Sequence, residues 1–138
     1  MVAHNEGRVL YTSSIAADAP GPFEAVYAAS KAFVQSFAEA IRNELKDTDI
    51  TITSLQPGPT DTKFFERAGM EDTKVGAAKK DDPAVVAKEG FEALMAGKDH
   101  VVAGSMKNKV QSTMSKVVPE TTAAEMHRKQ AEPGGASQ

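Results

Sequence analysis

Cysteine and tryptophan are missing from the 138 residues, and aromatic side chains are limited to two Tyr and six Phe. Without cysteine there is no disulfide framework, no thiolate zinc site and no cysteine nucleophile, a usage that fits a reducing compartment. The three histidines, His4, His100 and His127, lie far apart. None shows an i, i+4 ligand spacing, so no metal site is expected. Sixteen Lys and Arg against nineteen Asp and Glu leave a charge of -3, and no basic stripe is present to track a phosphate backbone, so no nucleic-acid partner is expected. No apolar run approaches the roughly eighteen residues of a membrane helix, and residues 1–6 carry neither the charged nor the apolar region of a signal peptide. The composition predicts a cytoplasmic protein with no membrane partner.

What is present is an alternation of short apolar runs with longer helical periods, and no internal repeat. Arg8 to Ser13 is apolar and β-branched and stops at two serines, as a buried parallel strand does. From Tyr27 to Lys46, Ala29, Phe33, Phe37, Ile41 and Leu45 recur at helical spacing and predict a helix with that stripe inward. Ile50 to Gln56 reads as a second strand, ended by Pro57-Gly58-Pro59. Strand, helix, strand is a right-handed βαβ crossover, which places ligands at the carboxyl ends of parallel strands. Residues 60–80 read as a mobile loop or lid with a possible short helix over 61–67. Asp82 as N-cap and Pro83 at the first position start a helix with Val85, Val86, Phe91, Leu94 and Met95 on its apolar side. A third strand is expected at 100–103, a weakly amphipathic helix from Met106 to Val117, and a last helical piece over 121–130. The expected division is a domain over 1–118, a helical extension over 119–132 and a disordered tail over 133–138.

Tyr27 and Lys31 stand four apart at the start of the first long helix, about 5.4 Å along one face. An ammonium held beside a phenol favours the tyrosinate and brings its proton within reach of neutral chemistry. The crossover returns this helix start to the strand end that carries Ser14, whose hydroxyl can hold a substrate oxygen. In isolation a Tyr and a Lys four apart mark a solvated face, and Pro57 to Thr62 mark a turn and a helix cap.

The joint pattern of a strand ending Ser13-Ser14, a helix start Tyr27-Ala28-Ala29-Ser30-Lys31, and Pro57-Gly58-Pro59-Thr60-Asp61-Thr62 resembles the short-chain dehydrogenase/reductases. The resemblance implies an α/β fold with a partial Rossmann-type parallel sheet of about three strands flanked by helices. It implies that Ser14 binds the substrate oxygen, Tyr27 is the general acid/base, and Lys31 lowers the tyrosine pKa and holds the nicotinamide ribose. Ser14 is favoured over Ser13 because the family's serine precedes an aliphatic residue, here Ile15, thirteen residues before the tyrosine. Pro57, Gly58, Thr60 and Thr62 match the segment that lines the nicotinamide. NAD or NADP is then the cofactor, a small-molecule carbonyl or alcohol the substrate, and a homodimer through the 27–46 helix the expected assembly.

The likeness spans roughly residues 7–110 and corresponds to the carboxyl-terminal, catalytic half of the family's domain. No three glycines fall within seven residues, so the Gly-rich turn of the dinucleotide-binding βαβ half is not in these 138 residues. The alternative expectation is a truncated chain that binds no cofactor and serves as an interaction module or inactive remnant. A serine hydrolase fits worse: Ser14 is in no Gly-x-Ser-x-Gly elbow, and His100 is the one histidine near the sheet. The lysines of the 106–118 helix are read as facing water or a subunit rather than a membrane.

Overall fold

A computed structural model describes residues 1–137. The three apolar runs form β1 (Gly7–Thr12), β2 (Ile50–Pro57) and β3 (His100–Ala103). They make one parallel sheet in the order β1-β2-β3. The register pairs Gly7 with Ile50 through Thr12 with Leu55, and Ser54 with His100 through Pro57 with Ala103. The strands therefore end together, near Thr12, Pro57 and Ala103. Helix α1 (Ala25–Glu44) joins β1 to β2, and α4 (Pro83–Met95) joins β2 to β3. Asp82 caps α4 as its sequence predicts, its carboxylate accepting from the Ala84 N–H at 2.8 Å.

Side chains alternate across a strand, so Leu10 and Tyr11 face opposite ways. Leu10 joins Leu55, Val101, Ala103 and Val86 of α4 in the hydrophobic core. Tyr11 meets Phe37 of α1 edge-on, at 5.8 Å between ring centroids. The two crossover helices thus cover opposite faces of the sheet. Gly90 lets α4 lie close, since a Cβ there would come within 2.9 Å of Leu55 Cδ2. Arg42 of α1 straps the strands from the other face, donating to the carbonyls of Ile52 at 3.2 Å and Asp99 at 2.8 Å.

The buried side of α1 is not the expected stripe. Ala28 and Ala38 are buried, whereas Phe33 and Phe37 are 69% and 43% exposed. Small residues let the helix approach the sheet closely, and the two phenyl rings stack on each other at 6.0 Å beside the edge of β1. Helix α4 does the same with Phe91 and Met95, both exposed. Its carboxyl end sits against the start of β1, where Arg8 donates to the Leu94 and Met95 carbonyls at 3.1 and 3.2 Å. Among the described residues β1 has a strand neighbour on one side alone.

Residues 60–80, expected as a mobile loop, form two short helices, α2 (Phe64–Arg67) and α3 (Lys74–Ala77). Thr73 caps α3 through the Gly76 N–H at 3.0 Å, and the segment is closed by a parallel bridge between Thr60 and Asp81. Helices α5 (Met106–Ser115) and α6 (Glu120–Ala131) follow β3. In place of a disordered tail, Gly135–Ser137 make a single 3-10 turn, tied to Asp72 through the N–H groups of Gly134 and Ala136 at 2.8 and 2.9 Å. Gln138 lies outside the described residues. No helix among them is long and apolar enough to cross a membrane.

Candidate active site

The two serines that end β1 have different bonds. The Ser13 N–H continues the ladder to the Leu55 carbonyl at 2.7 Å, and its hydroxyl donates to the Lys31 carbonyl at 3.1 Å, so Ser13 ties strand to helix. The Ser14 hydroxyl oxygen accepts from the Ala16 N–H at 3.1 Å, capping a 3-10 turn over Ile15–Asp18. That bond leaves the hydroxyl proton of Ser14 to donate elsewhere.

Tyr27 and Lys31 occupy the first turns of α1, with Lys31 Nζ 5.8 Å from the centroid of the Tyr27 ring. Lys31 Nζ donates to the Thr12 carbonyl at 3.0 Å, which anchors the ammonium at the carboxyl end of β1. The Tyr27 ring packs on Phe64 of α2, 5.2 Å between centroids. Beyond β2, Thr60 donates its hydroxyl to the Gly58 carbonyl at 2.9 Å, and the Thr62 hydroxyl accepts from the Phe64 N–H at 3.2 Å. Ser14, Tyr27, Lys31, Pro57, Gly58, Thr60 and Thr62 all line one cavity of about 890 Å³ at the carboxyl edge of the sheet. This is the crevice where parallel α/β sheets hold their ligands.

Three polar groupings hold this cavity in shape, and the sequence singled out none of them. Gln56, fully buried, donates to the Ser14 carbonyl at 3.3 Å and to Asp18 at 3.1 Å. Asp18 also accepts from the Ser112 hydroxyl at 2.5 Å and faces Lys116 at 3.7 Å, joining α5 to the serine turn. Asn108 of α5 donates to Asp81 at 2.6 Å and to the Ala103 carbonyl at 3.1 Å. Asp81 in turn brackets the 58–62 loop, giving its N–H to Pro59 and taking that of Asp61, both at 2.9 Å. Gly58 and Gly104 are glycines because of this packing: a Cβ at Gly58 would run into the Asn108 amide, and Gly104, at φ +92°, would meet Asp81. The third grouping joins α6 to the start of α1. His127 and Glu24 are 2.8 Å apart, and Arg128 lies 5.0 Å over the ring of Phe23. Of the three histidines, His127 alone lines the cavity.

The sequence model described as short chain dehydrogenase matches residues 1–73, more than half of the chain. An uncharacterized oxidoreductase, YbbO of Escherichia coli (strain K12), is 34% identical over 70 residues, 51% of this chain and 26% of its own. Dehydrogenase/reductase SDR family member 7B of Rattus norvegicus is 34% identical over 100 residues, 68% of this chain and 31% of its own. Among solved structures, a short-chain dehydrogenase from Sphingobium yanoikuyae in complex with NADPH superposes with a TM-score of 0.68 at 19% identity, over 86% of this chain and 48% of that one. A 7beta-hydroxysteroid dehydrogenase gives 0.73 at 25% identity, over 91% and 49%. A 3-oxoacyl-[acyl-carrier protein] reductase with bound NAD from Brucella melitensis gives 0.54 at 27%, over 75% and 42%. The chain thus spans 26% and 31% of the length of these curated relatives and just under half of the structures. With three parallel strands, flanking helices and a matching sequence model, the chain belongs to the short-chain dehydrogenase family.

Proposed function

We propose that this chain is the catalytic half of a nicotinamide-dependent oxidoreductase acting on a carbonyl or alcohol. The observation that carries the reading is the convergence of Ser14, Tyr27 and Lys31 with Pro57, Gly58, Thr60 and Thr62 on one cavity. The nicotinamide, when bound, would supply the hydride to a carbonyl or, in its oxidised form, accept it from an alcohol. Ser14 donates its free hydroxyl proton to the substrate oxygen, and Tyr27 gives or takes the proton at its phenol oxygen. Lys31, fixed to the Thr12 carbonyl, holds its ammonium 5.8 Å from the centroid of the Tyr27 ring.

The chemistry of the cavity suits the nicotinamide-ribose end of the cofactor. An ammonium and a phenol one turn apart offer donors for ribose hydroxyls, and Pro57 to Thr62 form a wall backed by the Asn108 amide. The pyrophosphate and adenosine would meet no comparable cradle, because no glycine-rich turn occurs in these residues. The open side of β1, with Phe91 and Met95 of α4 exposed beside it, is where a further strand and its helices would sit. The phosphate-binding half then comes from chain outside this sequence. The exposed phenyl face of α1 is the surface for a homodimer, and the cysteine-free composition suits the cytoplasm.

The missing cradle also favours a second reading, an interaction module that binds no cofactor. A fluorescence titration of the folded chain with NADH and NADPH separates the two. Saturable binding of either supports the catalytic reading. Absence of binding, both alone and after reconstitution with a dinucleotide-binding half from a relative, overturns it in favour of the module.

A further inference from the structure

We propose that the substrate is an aliphatic carbonyl compound or alcohol that carries an anionic group, with α5 and α6 forming its binding wall. This rests on the catalytic reading above and names the substrate class for it. Met106, Val110 and Met114 recur every four residues on α5, line the cavity, and are all exposed. Met126 of α6 faces the same space and is exposed too. An exposed apolar stripe of this kind gains free energy when a ligand removes it from water. Methionine, unbranched and polarisable, can adapt its shape to a flexible apolar chain. The stripe from Met106 to Met114 runs about 12 Å along the helix axis, room for roughly ten methylene groups.

Charge selects the rest of the molecule. Lys79, Lys107 and Lys129 line the same cavity, each on a different segment. Among the described residues none of the three lies within ion-pair distance of a carboxylate. The two carboxylates that do line the cavity are engaged, Glu24 with His127 and Asp81 with Asn108. With Lys31 the lining carries four lysines against these two carboxylates, so the cavity has apolar walls and an excess of positive charge, complementary to a chain with a carboxylate or similar anion at one end. The wall is a fixed part of the fold, since α6 is held to the start of α1 through His127 and Arg128, and α5 to the sheet through Asn108.

Calorimetric titration of the chain with decanoate, decan-1-ol and butyrate tests this without any need for turnover. Decanoate is expected to bind, decan-1-ol to bind about ten-fold more weakly, and butyrate not to bind. The Lys107→Ala, Lys129→Ala double variant, altered at two exposed positions, is expected to weaken decanoate about ten-fold and to leave decan-1-ol unchanged. Equal binding of acid and alcohol overturns the proposal, as does a double variant that binds decanoate normally. No decanoate binding, including that caused by a second copy filling the groove, overturns it as well. Decanoate binding by a chain that never turns over, even when reconstituted, counts against the catalytic reading and leaves the ligand class standing. Turnover of short neutral carbonyls without decanoate binding does the reverse.

Discussion

Ser13 and Ser14 share a residue type and a strand end, yet their hydrogen bonds assign them different work. Ser13 spends its proton on the Lys31 carbonyl, while Ser14 accepts at its oxygen and keeps its proton. Ser14→Ala is expected to lower turnover about 100- to 1000-fold, the range for removing a donor to a developing oxyanion, with about 1 kcal/mol lost from the cap. Ser13→Ala is expected to lower stability by about 1 kcal/mol with much smaller loss of turnover. Rate per folded molecule together with thermal melting separates the two, and a reversed order would give Ser13 the substrate oxygen. Tyr27→Phe keeps the ring that packs on Phe64 and removes only the hydroxyl. It is expected to abolish turnover in any assembly that has it, while the NADH or NADPH titration curve stays nearly unchanged. Wild-type turnover in that variant would leave the proton transfer to another group.

Helix α1 carries two interfaces that its sequence periodicity merged into one. Counting apolar residues located the helix to within two residues at each end, but it chose Phe33 and Phe37 for the core when Ala28 and Ala38 fill it. Hydropathy ranks phenylalanine above alanine, whereas close approach to a sheet rewards small size, so a helix with both a small face and an aromatic face misleads the count. The aromatic face is the one that the proposed homodimer would use. Phe33→Asp is expected to convert a dimer into a monomer at the same concentration in sedimentation, with the helical circular dichroism retained. A dimer that survives this substitution would have to use another surface. Strands and caps were legible because β-branched runs, Pro and Asp report local backbone preferences. The candidate site residues were picked out by a family pattern, and all of them line the one cavity. Gln56, Asp18, Asn108 and the Glu24–His127 pair follow no period, because their partners lie 27 to 103 residues away along the chain. Within residues 60–80 the short helix expected over 61–67 is there as α2, whereas α3 was not legible, since a single-turn helix held by one cap is too short to show a 3.6 period.

In the whole molecule, β2 sits between two partners and β1 borders open space, so the sheet is supported unevenly. The central strand is buried from Ile52 to Gln56, while β1 is half-buried at best, with Phe33, Phe37, Phe91 and Met95 exposed near its edge. An unpaired edge beside apolar faces is open to pairing with another chain and is the first part of a sheet to loosen. Hydrogen exchange is therefore expected to run in a set order. The amides of β2 should be the slowest in the chain, those of β1 faster by about ten-fold or more, since a smaller opening frees them. Supplying a dinucleotide-binding half is expected to slow β1 selectively, because a strand on the open edge would pair its outward groups while β2 already has both neighbours. If β1 in the chain alone already exchanges as slowly as β2, and does so more slowly at higher protein concentration, the edge is covered by another copy. The surface assigned to a missing half would then be a homotypic contact.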